Sequence, residues 1–121
     1  MAVARRTVGS VTVLDVIGEF TGGVETDQLL TAILDEAAAG NRQLLLDLTG
    51  CAMMNSSGIS VLVEAYRTYA ARGGAIKLCG LQKRMANQLS TVRLINIFSH
   101  HPTADEAIAA FASGTSGAPR G

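Results

Sequence analysis

Two adjacent serines supply the hydroxyl groups best placed for chemistry in this chain. They lie in the tetrapeptide Asn55-Ser56-Ser57-Gly58, between an apolar run that ends at Leu48 and a segment whose apolar residues recur with helical spacing. The first amides of a helix lack partners within the helix, so small polar side chains are favoured there as caps. A hydroxyl at this position is also next to the positive end of the helix dipole, where an added phosphate is tolerated. The pattern leaves two interpretations open: a simple helix cap, or a site of serine phosphorylation.

Nucleophilic catalysis by these serines has little support in the sequence. The GxSxG spacing of a nucleophile elbow is absent around them. The only histidines, His100 and His101, are adjacent to each other, precede a proline and are predicted to lie in a surface turn after the last strand. Asp47 could complete a Ser/His/Asp triad only from inside a strand. No catalytic residue is therefore expected, and a small hydrolase that uses Ser56 is the weakest alternative.

Cofactor and metal chemistry also lack a motif. Cys51 and Cys79 have no CxxC or Cys/His cluster beside them, so both are expected to be small buried thiols. Neither a GxxxxGK[ST] loop nor a GxGxxG turn precedes a helix, and no metal-ligand spacing is present. We expect no cofactor and no metal.

Length and composition bound the remaining classes. The chain has 121 residues, 48% of them hydrophobic, and a formal net charge of zero. These values predict one domain with a real core and no general attraction to nucleic acid or an anionic membrane. No apolar run suits a signal peptide or a membrane span, which favours a cytoplasmic protein. We expect a domain over residues 1–112 and a disordered polar tail over 113–121.

Hydrophobic periodicity predicts strand, strand, helix, then three further strand-helix units. The predicted elements are a hairpin within Thr7–Phe20 that turns at Gly9-Ser10, a helix Val24–Ala39, a strand Leu44–Leu48, a helix from Asn55 to Gly73-Gly74, a strand Ala75–Cys79, a helix Gln82–Thr91, a strand Ile95–Phe98 and a helix capped by Thr103. The glycine-rich stretch 18–23 is predicted to be a loop, and residues 49–54 a connector. This order indicates an α/β fold with a mixed, mostly parallel sheet of four or five strands after an initial hairpin, and about four helices.

The apolar spacing also predicts which positions of each helix face the core. These are Leu30, Ile33, Leu34 and Ala37; Ile59, Leu62, Val63, Tyr66, Tyr69 and Ala70; Met85, Leu89 and Val92; and Ala107, Ile108 and Phe111.

Most of the chain resembles the STAS domain family, in particular bacterial anti-sigma factor antagonists. The likeness is carried by an apolar strand ending in Asp-Leu, by Asn55-Ser56-Ser57-Gly58 opening a helix that ends in Arg72-Gly73-Gly74, and by the downstream segments IKLCGL, LINIF and TADEAIAAF. Gly18-Glu19-Phe20 is similar to the family's Gly-Glu-Leu loop. The resemblance implies a single STAS-like α/β domain.

The resemblance also implies roles for individual residues. Ser56 corresponds to the phosphorylated serine, Ser57 to its neighbour and alternative, and Gly58 to a residue that permits close backbone approach. Glu19, Asn55 and these three residues would contact the partner. The family usually has Asp where this chain has Asn55, which keeps the capping oxygen but loses the charge and puts phosphorylation in question.

The implied function is partner switching by a protein that is not an enzyme. When unphosphorylated, such a protein binds an anti-sigma factor, usually a serine kinase of the histidine-kinase-like ATPase fold, and so frees a sigma factor. Phosphorylation releases it, and a phosphatase resets it. A monomer or weak dimer is expected. The alternative is a STAS interaction or scaffold module that does not switch.

Overall fold

The computed structural model describes residues 2–113 of the chain. The elements in this part are β1 (Val3–Val8), β2 (Val11–Val16), β3 (Gly18–Phe20), α1 (Val24–Ala38), β4 (Gln43–Asp47), β5 (Cys51–Met54), α2 (Ser56–Ala71), β6 (Ala75–Cys79), α3 (Lys83–Thr91), a 3-10 helix (Leu94–Asn96), β7 (Ser99–His101) and α4 (Ala104–Ser113). The predicted tail lies outside the described residues, except for Ser113, which ends α4. The disorder predicted for it stays a prediction.

The main sheet has five strands in the order β1-β2-β4-β6-β7. β1 and β2 pair antiparallel through a turn at Gly9, whose φ is +60°, and each remaining neighbour pairs in parallel. A mostly parallel α/β sheet that follows an initial hairpin is thus confirmed.

The central strand β4 is buried on both faces, as its apolar run predicts. Leu44 and Leu46 belong to a core built with α1, α2 and α3, whereas Leu45 belongs to a separate core with Ala107 of α4. Successive side chains of a strand point to opposite faces, so one short run supplies both cores. Three helices therefore cover one face of the sheet and α4 covers the other.

A second, two-stranded sheet corrects the expectation of a loop at 18–23 and a connector at 49–54. β3 and β5 pair in parallel, with Phe20 opposite Met54. Phe20, Cys51 and Met54 are fully buried. Strands of three and four residues carry too little pattern to be recognised locally, because their stability comes from tertiary pairing.

The last strand lies further along the chain than the sequence predicts. Leu94–Asn96 forms a 3-10 helix after Arg93, which has a φ of +64°, and the strand is Ser99–His101. Both histidines therefore lie in β7, paired with β6, and not in a turn. Phe98, between the 3-10 helix and β7, is fully buried and packs edge-on against Tyr66, with ring centroids 5.6 Å apart.

The predicted core faces of the helices are partly wrong. Leu34, Ala70 and Val92 are exposed. The side chains buried in their place are Leu29 in α1 and Val61 and Ala65 in α2. α1 packs against both α2 and the sheet, so its buried stripe is set by two surfaces and not by one idealised face.

Candidate functional site

Three elements meet where α2 begins. The backbone N–H of Asn55 donates to the carbonyl of Phe20 at the end of β3, at 3.1 Å. On the other side, Gln88 Nε2 of α3 donates to the carbonyl of Met54, at 2.8 Å. The last residues of β5 are therefore held from two directions, which fixes the point from which α2 projects.

Asn55 is the N-cap of α2 and uses both ends of its side-chain amide. Its Oδ1 accepts from the amides of Ser57 at 2.9 Å and Gly58 at 3.3 Å. Its Nδ2 donates to the carbonyl of Thr21 at 3.0 Å. Since only an NH2 group can donate to that carbonyl, an ionised Asp in the same rotamer would lose this bond. Asn55 thus ties the loop after β3 to the helix start while it caps the helix.

Gly58 lies in the first turn of α2 where there is no room for a side chain. A Cβ at this position would be 2.7 Å from the carbonyl oxygen of Phe20 and 3.0 Å from Cβ and Cγ of Met54. The carbonyl belongs to paired backbone and cannot move aside cheaply. The close approach that the family resemblance implies for Gly58 is therefore present.

Both serines are exposed, in the first turn of α2. Ser57 lies against the loop at Gly22, because a Cβ on Gly22 would be only 3.2 Å from Ser57 Oγ. Among the described residues, no hydrogen-bond partner occupies the hydroxyl of Ser56, although the backbone carbonyl of Ser56 accepts from Ser60 Oγ at 2.8 Å. Because Asn55 supplies the cap, the Ser56 hydroxyl is not needed for capping.

The loop beside Ser57 carries acidic and apolar groups at the surface. Glu19 is exposed in β3, and Glu25 and Asp27 lie in the first turn of α1. Ile17 and Val24 are 47% and 66% exposed, which is unusual for large apolar side chains. A shallow groove of about 400 Å³ runs along this surface between Ile17 and Glu25. A mixed apolar and acidic surface therefore lies beside the loop that contacts Ser57.

The catalytic alternative gains no support from the geometry. Asp47 Oδ1 accepts from the amide and hydroxyl of Thr49, at 3.0 and 2.6 Å, and its Oδ2 lies 3.6 Å from Arg6 Nη2. Within residues 2–113, no hydrogen bond connects His100 or His101 with either serine. A Ser/His/Asp relay is not formed by these groups.

The two cysteines are free and buried, as predicted. Burial raises the pKa of Cys51 to about 11, and burial together with Asp47 raises the pKa of Cys79 to about 12, so both thiols are protonated at neutral pH. The described residues contain no cluster of His, Cys, Asp and Glu that could hold a metal ion. None of their helices is long and apolar enough to cross a membrane.

Sequence reasoning missed the groups that hold the site in place. Gln82, the N-cap residue of α3, donates to the carbonyl of Thr49, and Gln88 within α3 donates to the carbonyl of Met54. The carbonyl of Thr21 receives Nδ2 of Asn55. Every residue has a backbone carbonyl, so the sequence does not show which carbonyls accept these bonds. Glutamine is also too common on protein surfaces to predict such a contact.

Comparisons with known proteins agree with this architecture. The model of the STAS domain family matches residues 2–107. No curated protein matches the chain. Among solved structures, an anti-sigma factor antagonist from Mycobacterium paratuberculosis superposes with a TM-score of 0.78 at 23% identity, over 89% of this chain and 91% of that one.

Two further structures show how widely the fold is shared. Phosphorylated SpoIIAA of Bacillus gives a TM-score of 0.73 at 19% identity, over 91% of this chain and 99% of that one. A sulfate transporter family protein from Wolinella succinogenes gives 0.76 at 21% identity, over 91% and 90%. At these identities the superpositions establish the fold but not the function, which has to be argued from the site.

Proposed function

Because the chain belongs to the STAS domain family, we propose that it is an anti-sigma factor antagonist whose partner binding is switched by phosphorylation of Ser56. The observation that carries the proposal is an exposed hydroxyl at the start of α2 that is spared from capping by Asn55. Ser57 is the alternative acceptor, although it lies against the loop at Gly22. SpoIIAA, which shares the fold, has been solved both with and without phosphate.

A phosphate on Ser56 would be tolerated within the protein but would oppose docking. It adds roughly −1.5 to −2 charges at neutral pH. The helix N-terminus stabilises this charge, because the positive end of the α2 dipole lies beside Ser56. A partner that covers Ser56 must instead desolvate the phosphate or repel it, beside a surface that already carries Glu19. A loss of about 3 kcal/mol would weaken binding more than a hundredfold.

The proposed partner is an anti-sigma factor that is also a serine kinase of the histidine-kinase-like ATPase fold. It would contact Glu19, Asn55, Ser56, Ser57 and Gly58 while Ser56 is unphosphorylated. Binding would free a sigma factor, and a phosphatase would return the phosphorylated protein to its binding form. The protein itself would act in the cytoplasm as a monomer or weak dimer, without catalysis and without a cofactor.

Phosphate transfer is the direct test. The chain is incubated with its kinase and ATP, and the modified residue is located by mass spectrometry. Phosphate is expected on Ser56, and an active kinase that modifies neither Ser56 nor Ser57 rules out the switch.

Substitution tests the binding side of the switch. Ser56→Ala is expected to bind the partner as the unmodified protein does, because it removes only an unpaired hydroxyl. Ser56→Asp is expected to weaken binding at least tenfold, measured by calorimetry. Ser90→Asp in α3, an exposed serine outside the site, controls for the added charge. Equal binding by both Ser56 variants contradicts the switch.

A second candidate is a STAS interaction module that does not switch. Two observations favour it: Asn55 in place of the family's usual Asp, and the occurrence of the fold in a sulfate transporter family protein. Here Ser56→Asp and Ser56→Ala would bind alike. Asn55→Asp adds a diagnostic, because faster phosphate transfer to Ser56 in this variant would assign slow phosphorylation to the missing carboxylate.

A further inference from the structure

A small polar cavity lies between the C-terminal ends of α1 and α2. Its volume is about 170 Å³, and its lining includes Asn41, Arg42, Tyr69, Arg72 and Gly74. Ser56 begins the same helix that Arg72 ends, so the cavity is roughly 24 Å from the serines at 1.5 Å per residue. The cavity is therefore separate from the proposed phosphorylation site.

The hydroxyl of Tyr69 is left without a partner beside this cavity. Tyr69 is only 1% exposed, and its Oη has no hydrogen-bond partner among the described residues. Buried hydroxyls are normally paired, because desolvation without a compensating hydrogen bond is costly. Burial, and to a lesser extent Glu36, raise the pKa of Tyr69 to about 12, while Arg72 acts in the opposite direction. The hydroxyl is therefore protonated and able to donate.

Two guanidinium groups line the same cavity. Arg42 Nη1 donates to the carbonyl of Arg72, and Arg72 Nη1 donates to the carbonyl of Ala37 at 3.1 Å. A guanidinium has five N–H donors, so each retains donors beyond these bonds. None of the described residues that line the cavity is acidic. Nearby Glu36 is ion-paired with Arg5, which offsets its charge, and it accepts a hydrogen bond from Asn41.

Close backbone packing fixes one wall of the cavity. A Cβ on Gly74 would lie 2.9 Å from both the carbonyl oxygen of Arg42 and Cδ2 of Tyr69. Gly73 has a φ of +71°, and a Cβ on it would lie 3.3 Å from Arg42 Nη1. The two glycines thus bring Arg42 and Tyr69 together at the end of α2, and the cavity has a defined shape.

We propose that this cavity, the Tyr69–Arg72 cavity, binds a small oxyanion, a phosphate or a carboxylate group, through the hydroxyl of Tyr69 and the guanidinium groups of Arg42 and Arg72. Guanidinium groups match the planar and tetrahedral arrays of oxygens in these anions and bind them with charge-assisted hydrogen bonds. The volume of about 170 Å³ exceeds the space that a single water needs, so the cavity has room for a small anion such as a phosphate or a short carboxylate.

Binding is tested by titrating the full chain with sodium phosphate, sodium acetate and acetamide at constant ionic strength held with sodium chloride. Chemical shifts of the Arg42, Tyr69 and Arg72 amides are followed by NMR. Saturable shifts are expected with phosphate or acetate, and their relative affinities identify the preferred anion. Acetamide, which has the shape of acetate without its charge, should give none. A response to acetamide as strong as the response to the preferred anion, or no response to either anion, overturns the proposal.

Two variants test whether the cavity is a ligand site or only an unfilled packing defect. Tyr69→Phe keeps the ring and removes only the hydroxyl, and Arg72→Gln removes one guanidinium. Each is expected to weaken anion binding about tenfold, as for loss of one charge-assisted hydrogen bond. Arg67→Gln, an exposed arginine on the same helix, should leave binding unchanged. Anion affinity that is the same in Tyr69→Phe, in Arg72→Gln and in the unsubstituted protein refutes the assignment.

Discussion

Asn55 has two structural roles that substitutions can distinguish. Its Oδ1 caps α2 through the amides of Ser57 and Gly58, and its Nδ2 holds the loop after β3 through the carbonyl of Thr21. Asn55→Ala removes both functions. Asn55→Ser keeps a capping oxygen and removes the bond to Thr21. Asn55→Asp keeps the cap, adds a charge at the helix N-terminus and also removes the bond to Thr21.

The magnitudes follow from the bonds that each variant loses. Loss of an N-cap costs about 1 kcal/mol, and loss of one hydrogen bond about 1 kcal/mol, so Asn55→Ala should lower the free energy of unfolding by about 2 kcal/mol. Asn55→Ser should lose about 1 kcal/mol. In Asn55→Asp, a gain of about 0.3–1 kcal/mol from the helix dipole offsets the lost bond, so its stability should be within about 1 kcal/mol of the unsubstituted protein.

Urea unfolding at pH 7, monitored by circular dichroism, measures these differences. The expected order of stability places Asn55→Asp above Asn55→Ser, and Asn55→Ala last. High salt should reduce only the advantage of Asn55→Asp, because screening weakens the interaction with the helix dipole. If Asn55→Ser is as unstable as Asn55→Ala, the separation of cap and tether is incorrect. If Asn55→Ala is as stable as the unsubstituted protein, neither bond contributes.

Three further outcomes test the packing and electrostatics of the fold. Gly58→Ala should lower the free energy of unfolding, measured in urea, by about 1–3 kcal/mol, because its Cβ would collide with the carbonyl of Phe20. At an unobstructed helical glycine the same substitution would increase stability. Unchanged stability would contradict the close approach. The hydrogen bond from Arg5 is the main cause that lowers the pKa of Glu36 from its ordinary value of 4.5. The stability that this carboxylate contributes is therefore complete above pH 4.5 and is lost as the pH falls below it. Acid unfolding of Glu36→Gln should therefore depend less on pH in that range, and an identical acid transition would refute the linkage. Cys51 and Cys79, with pKa values of about 11 and 12, should resist iodoacetamide at pH 8 until urea unfolds the chain, and labelling of the folded protein would contradict their burial.

The strongest local patterns predicted their elements correctly. The run Leu44–Leu48 predicted a strand buried on both faces, and the helical spacing after Asn55 predicted α2 with a small polar cap, which the structure shows to be Asn55. Both signals are local: a strand between two cores needs apolar side chains at successive positions, and a helix start needs an oxygen for its free amides.

The sequence-based predictions were wrong where strand pairing determines the structure. The apolar run Ile95–Phe98 suits a strand, yet the polar segment Ser99–His101 forms β7, because it is this segment that lies beside β6. Short apolar runs cannot by themselves distinguish a strand from a buried helical turn. Likewise, β3 and β5 become strands only beside each other.

The sequence by itself determined the alternation of the main strands and helices, the α/β class and the position of the two serines, since each depends on the spacing of neighbouring side chains. Only the tertiary structure decided that Asn55 joins the loop at Thr21 to α2, that Gly58 has no space for a Cβ, and that Tyr69 buries a hydroxyl beside two arginines. Those features depend on groups far apart in the chain and on backbone carbonyls common to all residues. Their meeting is set by the packing of the whole domain, which local spacing does not encode.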